Sequence, residues 1–135
     1  MSDRIKIDKF LPYYYSGASG DYNLIHIDPD FARAAGLEGI ILQGLCTMGI
    51  AANRLIGDED PGRLKSINVR FAFPVFPEDE LEMEVETRDD HVRFIVRKDS
   101  GEEVISKTLG RGKGLEESCQ DFTKRVGSAI RKNIP

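Results

Sequence analysis

The chain has no tryptophan, two cysteines and two histidines in 135 residues, and no long apolar run. Each scarcity closes off a class of protein. Two cysteines, Cys46 and Cys119, cannot build a disulfide framework, and Cys46 lies in an apolar helical run where a buried free thiol is expected. No stretch reaches the roughly 18–20 apolar residues of a membrane span. Met1-Ser2-Asp3-Arg4 begins no signal peptide, so a cytoplasmic protein without a membrane partner is expected. A net charge of −4 gives no general reason to expect nucleic acid as a partner. No metal and no cofactor is expected. With so few histidines, His26 has little competition, since His91 stands at an expected hairpin turn and reads as solvated.

What is present is ordinary globular composition, 40% hydrophobic and 31% charged, in a length that buries a core as one domain. Residues 4–7 (RIKI) alternate as a short strand would. Asp8 can cap a helix with Phe10, Leu11, Tyr14 and Tyr15 on its apolar face; a start near Leu11 instead places Pro12 at its favoured first position, and either must end within residues 17–20. Gly20-Asp21-Tyr22-Asn23 is turn chemistry, and Asp28-Pro29-Asp30 opens a short helix through Ala35, stopped at Gly36. From Gly44 to Ile56 the pattern is helical with Arg54 as its one ionised residue; Leu45, Met48, Ala52, Leu55 and Ile56 form one face. A helix this apolar should be enclosed on most sides.

Beyond residue 64 the pattern is sheet. Ile67, Val69, Phe71 and Phe73 alternate as a half-buried strand should. Leu81, Met83, Val85 and Thr87 alternate with glutamates, and a turn at Asp89-Asp90 sets Thr87 opposite Val92, Val85 opposite Phe94 and Met83 opposite Val96. The same register places Glu86 opposite Arg93 and Glu82 opposite Arg97, so one alignment satisfies both faces. A second turn at Asp99-Ser100-Gly101 then places Lys98 opposite Glu102, Arg97 opposite Glu103 and Val96 opposite Val104. Residues 1–112 form the domain; residues 113–135 read as an amphipathic helical extension, with Leu115, Cys119, Phe122, Val126 and Ile130 on one stripe. Helices first and hairpins after is an α+β order. One very apolar helix with a long antiparallel sheet to cover it suggests a hot-dog architecture, whose sheet edges predict a homodimer.

An acid and an imidazole five residues apart, Asp21 and His26, sit in this Gly/Asn turn beside apolar sequence. Alone, such a pair is most simply a structural hydrogen bond. Its context is more specific. Tyr15-Ser16-Gly17-Ala18-Ser19-Gly20-Asp21-Tyr22-Asn23-Leu24-Ile25-His26-Ile27-Asp28 resembles the motif of the MaoC-like, (R)-specific enoyl-thioester hydratase/dehydratase family, roughly aromatic, small residues, then S-G-D-x-N-P-[LIV]-H-x-D. The run from Asn68 to Asp79, NVRFAFPVFPED, is similar to the family's V-R-F-x-x-P-V-x-P-G-D.

The resemblance implies a hydro-lyase that adds water reversibly across the 2,3 double bond of an acyl-CoA or acyl carrier protein thioester. Carried over, Asp21 and His26 are the catalytic pair activating water, and the Gly44 backbone N–H, at the start of the central helix, meets the enolate oxygen. Asn23, Gln43 and Leu45 are the candidate substrate-binding residues. Three departures stand out: Leu24 replaces the usual proline, Gln43 the usual histidine before the glycine, and Ala52 a serine that in some members bonds the catalytic acid. Alternatives are a hot-dog acyl-CoA thioesterase and a non-catalytic acyl-thioester-binding partner subunit. The pocket is expected between the central helix and residues 36–42.

Overall fold

Proline and glycine set the helix boundaries in the computed structural model, which describes residues 4–88 and 91–111. Helix α1 (Leu11–Ser19) carries Pro12 in its first turn and ends on Gly20, which takes the left-handed conformation at φ 76°. A single 3₁₀ turn, Leu24–His26, is capped by the Asn23 side chain. Helix α2 (Pro29–Ala34) is capped by Asp28, whose carboxylate accepts from the N–H groups of Asp30 and Phe31. Helix α3 spans Gly44–Ile56, the range expected from the sequence. A second 3₁₀ turn, Pro61–Arg63, leads to the sheet.

The strands are β1 (Arg4–Lys6), β2 (Asn68–Phe71), β3 (Glu80–Thr87), β4 (His91–Lys98) and β5 (Glu103–Arg111). They pair antiparallel in the order β1-β3-β4-β5-β2. Strands β1 and β2 are consecutive in the chain yet lie at opposite edges. The connection between them carries every helix among the described residues, and it must therefore cross the sheet from edge to edge. Cys46 and Ala51 of α3 join Leu81, Phe94, Val96, Val104 and Ile105 of the strands in one buried core, with Met48, Ile50, Ala52 and Leu55 packed against it. This helix against an antiparallel sheet is the α+β hot-dog arrangement.

The β3–β4 register is the one that the alternation predicts, from Met83 opposite Val96 to Thr87 opposite Val92. Its turn, Asp89-Asp90, and the extension at 113–135 lie outside the described residues. The charge pairing differs in detail. Arg4 from β1 bonds Glu80 and Glu82, each at 3.1 Å, so Arg97 pairs with Glu84 and Glu103 although Glu82 is its cross-strand neighbour. His91 opens β4 and is partly buried, not solvated.

Two expectations are corrected. Val96 lies opposite Ile105, not Val104, while Arg97 stays opposite Glu103, so two residues of β5 face one step of β4. Val104 is the inserted residue of a β-bulge, and the bulge lets two neighbours, Val104 at 1% and Ile105 at 0% exposure, both reach the core. Strict alternation cannot foresee that. In α3, Met48, Ala52 and Leu55 of the expected face pack against the core, but the buried residues are Cys46, Thr47 and Ala51, and Leu45 stays 48% exposed. Small residues let the helix approach closely, which counting apolar bulk overlooks.

After β2, the chain turns at residues 76–79 before entering β3. Glu78 adopts φ 71° there, the left-handed region, where the family pattern has glycine. The turn is held regardless: the Asp79 carboxylate accepts from the Phe76 N–H at 2.8 Å and pairs with Lys98 Nζ at 3.0 Å. A non-glycine residue in this region costs about 1–2 kcal/mol, partly offset by the entropy that glycine loses on folding. Glu78→Gly is therefore expected to raise stability by about 0.5–1 kcal/mol in urea unfolding.

Candidate active site

The motif loop is built from short-range bonds that polar residues at turns favour. The Asp21 carboxylate Oδ1 accepts the Asn23 N–H at 3.1 Å, and Asn23 Oδ1 accepts the Ile25 N–H at 3.3 Å. Each is an Asx turn, and together they wind the chain into the 3₁₀ turn that ends at His26. Leu24 in place of proline leaves this winding intact. Asn23 is exposed, and its observed role is to hold the turn.

His26 is buried and Asp21 half-exposed. Imidazole Nδ1 lies 2.7 Å from the backbone carbonyl of Ile41. A carbonyl only accepts, so Nδ1 carries the proton and the neutral ring has its lone pair on Nε2. Nε2 stands 3.7 Å from Asp21 Oδ2. At that separation two acceptors share no direct bond, and a small donor placed between them satisfies both.

Residues 40–43 carry the loop onto the rest of the fold. The Ile41 N–H donates to the Ile25 carbonyl at 3.0 Å, and the Leu42 N–H to Val75 O at 2.7 Å. Gln43, 2% exposed, does not reach the cleft. Its Nε2 donates to Pro12 O at 3.1 Å and to Ser16 Oγ at 2.8 Å, tying α1 to the start of α3. Its Oε1 is buried without a hydrogen-bond partner. Gln43, expected as a substrate contact, is thus a strut behind the site.

A cleft of about 340 Å³ opens beside His26. Gly44 and Thr47 of α3, Ile41, Leu42, residues 71–75 and Val104 complete its lining. Gly44 begins α3, and the first N–H groups of a helix have no partner within it, so the end of α3 that offers donors favoured by the helix dipole borders this space. Gly44 also admits a neighbour: a Cβ there would lie 3.1 Å from the Phe71 ring. Phe71 and Phe73, expected on a half-buried strand, are 48% and 51% exposed and wall the cleft. Leu45, expected at the substrate, does not line it. Thr47 does, and it was missed because a threonine within an apolar helix carries no distinct signal. Burial, with Cys46 and Asp21 nearby, pushes the Tyr15 phenol up to about 12, and burial pushes the Cys46 thiol up to about 11, so both stay protonated at neutral pH.

The residues so assembled match a known family. The model of the MaoC like domain fits residues 3–108. The chain belongs to this family. Among curated relatives, 92 residues are 45% identical to "Peroxisomal multifunctional enzyme type 2" of Mus musculus, covering 65% of this chain and 12% of that one. "Probable enoyl-CoA hydratase 2" of Dictyostelium discoideum is 46% identical over 74 residues, covering 53% of this chain and 25% of that one. The chain thus spans a quarter or less of these two relatives. A solved MaoC-like dehydratase from Phytophthora capsici superposes with a TM-score of 0.73 at 30% identity, covering 84% of this chain and 42% of that one.

In this MaoC-like domain the Gln43 strut sets the spacing between the loop on α1 and the donor on α3. A double-mutant cycle with Gln43→Ala and Ser16→Ala is expected to give a coupling of about 0.5–1.5 kcal/mol in chemical unfolding, since both lie in one buried bond.

Proposed function

We propose that this domain catalyses the reversible hydration of an enoyl thioester to the (R)-3-hydroxyacyl thioester, with coenzyme A or an acyl carrier protein as the thiol, and acts as a homodimer. One observation carries the reading. An imidazole whose tautomer is fixed by Ile41 turns its basic nitrogen toward a carboxylate 3.7 Å away, beside a cleft that holds a helix-start N–H. Family membership and the relatives' names support the same reaction class.

The chemistry follows from the donors and acceptors. A water giving one hydrogen to His26 Nε2 and one to Asp21 Oδ2 presents its lone pair to an alkene carbon in the cleft. As its oxygen bonds Cβ, the pair takes one proton. Charge moves through the double bond to the thioester oxygen, where the Gly44 N–H meets it at the positive end of α3. The enolate collapses as Cα receives a proton from the pair, so water is added and no net proton is gained. Dehydration is the same path reversed. Positioned acid–base groups contribute about 10²–10⁴-fold each.

Asp21→Asn and His26→Ala are each expected to fold as the parent does and to lower hydration of crotonyl-CoA by about 10²–10⁴-fold. Loss of enone absorbance without thiol release is the expected signal. Released thiol would mean hydrolysis, and a folded His26→Ala variant with parental rate would sink the mechanism. The dimer rests on the edge position of β2, with Phe71 and Phe73 half-exposed on it and just beyond it. Sedimentation as a dimer is expected; a monomer at micromolar concentration would remove that part of the reading.

A further inference from the structure

Asp21 faces a problem that the rest of the site does not. Its side chain is 48% exposed, and its carboxylate receives the Asn23 N–H on Oδ1 and faces His26 through Oδ2. The acid also follows Gly20, a left-handed residue with no neighbour within 4 Å of where a Cβ would stand. Nothing in the glycine itself fixes the direction in which the chain leaves α1.

The Ser19 hydroxyl spans that hinge. It donates to the Tyr15 carbonyl at 2.7 Å, one turn back in α1. It also accepts the Asp21 N–H at 3.1 Å, on the far side of Gly20. The first bond is one that serine often makes in helices. The second is the ST turn that serine commonly makes to the N–H two residues on; here that N–H belongs to the acid, so a hydroxyl anchored in the helix holds its backbone. The Gly20 N–H donates to Ser16 O at 2.9 Å, so both sides of the hinge are tied to the last turn of α1. That turn is in turn held by Gln43 through Ser16 and Pro12.

We infer that Ser19 is a positioning residue for Asp21, fixing the backbone of the acid across the Gly20 hinge. The inference rests on the proposed reaction for its kinetic consequence, though not for its geometry. Once the backbone of Asp21 is fixed, its own turn to the Asn23 N–H leaves Oδ2 directed at His26. Without the hydroxyl, the Asp21 N–H turns to solvent and the carboxylate samples positions away from the water it shares with the imidazole. Misplacement of about 1 Å can cost as much as about 10²-fold in rate.

Two measurements on Ser19→Ala and Ser19→Thr test this. Amide hydrogen exchange by NMR reads the bond directly: Asp21 protection is expected to fall about tenfold in Ser19→Ala and to be retained in Ser19→Thr, which keeps the hydroxyl. Kinetics with crotonyl-CoA read its effect: kcat falls about tenfold in Ser19→Ala with KM within about twofold, and Ser19→Thr recovers most of the rate. Parental Asp21 protection in Ser19→Ala overturns the inference, as does lost protection that threonine fails to restore. So does parental kcat in a folded Ser19→Ala. If the parent hydrates no enoyl thioester, the proposed reaction fails by itself, and the exchange measurement still decides whether Ser19 holds Asp21.

Discussion

Three consecutive residues, Ile41, Leu42 and Gln43, bind every part of the site together, and each does so with a different partner. Ile41 pairs with the Ile25 carbonyl through its N–H and with the His26 imidazole through its carbonyl. Leu42 bonds Val75, beyond the end of β2. Gln43 reaches α1 with its side chain and starts α3 with its backbone, its carbonyl accepting from the N–H groups of Cys46 and Thr47. Leu42 and Gln43 are buried and Ile41 partly so, which limits competition from water for these bonds, and breaking one in the buried part strands polar groups. Motif loop, central helix and sheet are thereby held at fixed separations. The 3.7 Å gap between Asp21 and His26 is a product of that frame as much as of the two residues themselves.

The order of secondary structure was legible because local chemistry and periodicity agreed. Pro12, Gly20, Asp28 and Gly57 punctuate the helices where turn and cap preferences place them, and the glutamates of β3 alternate with apolar residues cleanly enough to fix its register against β4. The bulge at Val104 was not legible. A single extra residue in a strand is set by what it must reach across the fold, and three apolar residues in the run Val104, Ile105, Leu109 fit more than one register. The exposure of Leu45 was likewise hidden. A helix apolar all round does not announce which side is filled by small residues that allow contact and which is left at the surface.

The candidate site divides in the same way. The closeness of Asp21 and His26 could be foreseen because they share a short turn with a recognisable pattern around them, and Gly44, carried over from the family resemblance, lies on the cleft beside His26. Gln43 was expected from the place where the family pattern has histidine, and Leu45 follows the glycine after it; side chains at a helix start point in different directions. One goes behind the helix and one to its outer side. Residues 71–75 and Val104 come to the cleft from the other end of the chain, through the bond between the Ala72 N–H and the Val104 carbonyl. No local pattern encodes that meeting; it continues the β2–β5 register in which Phe71 lies opposite Ile105.

The unequal burial of the pair bears on how reactants are supplied. His26 lines the apolar cleft, while Asp21 is half open to solvent and stands outside that lining. In the proposed reaction the two substrates differ as sharply as the two residues do, one being an acyl chain and the other water. Each then has its own side: the chain the cleft that His26 lines, the water the exposed carboxylate. An acyl group can fill its side without sealing the other, so the domain need not open and close between turnovers to exchange the smaller reactant.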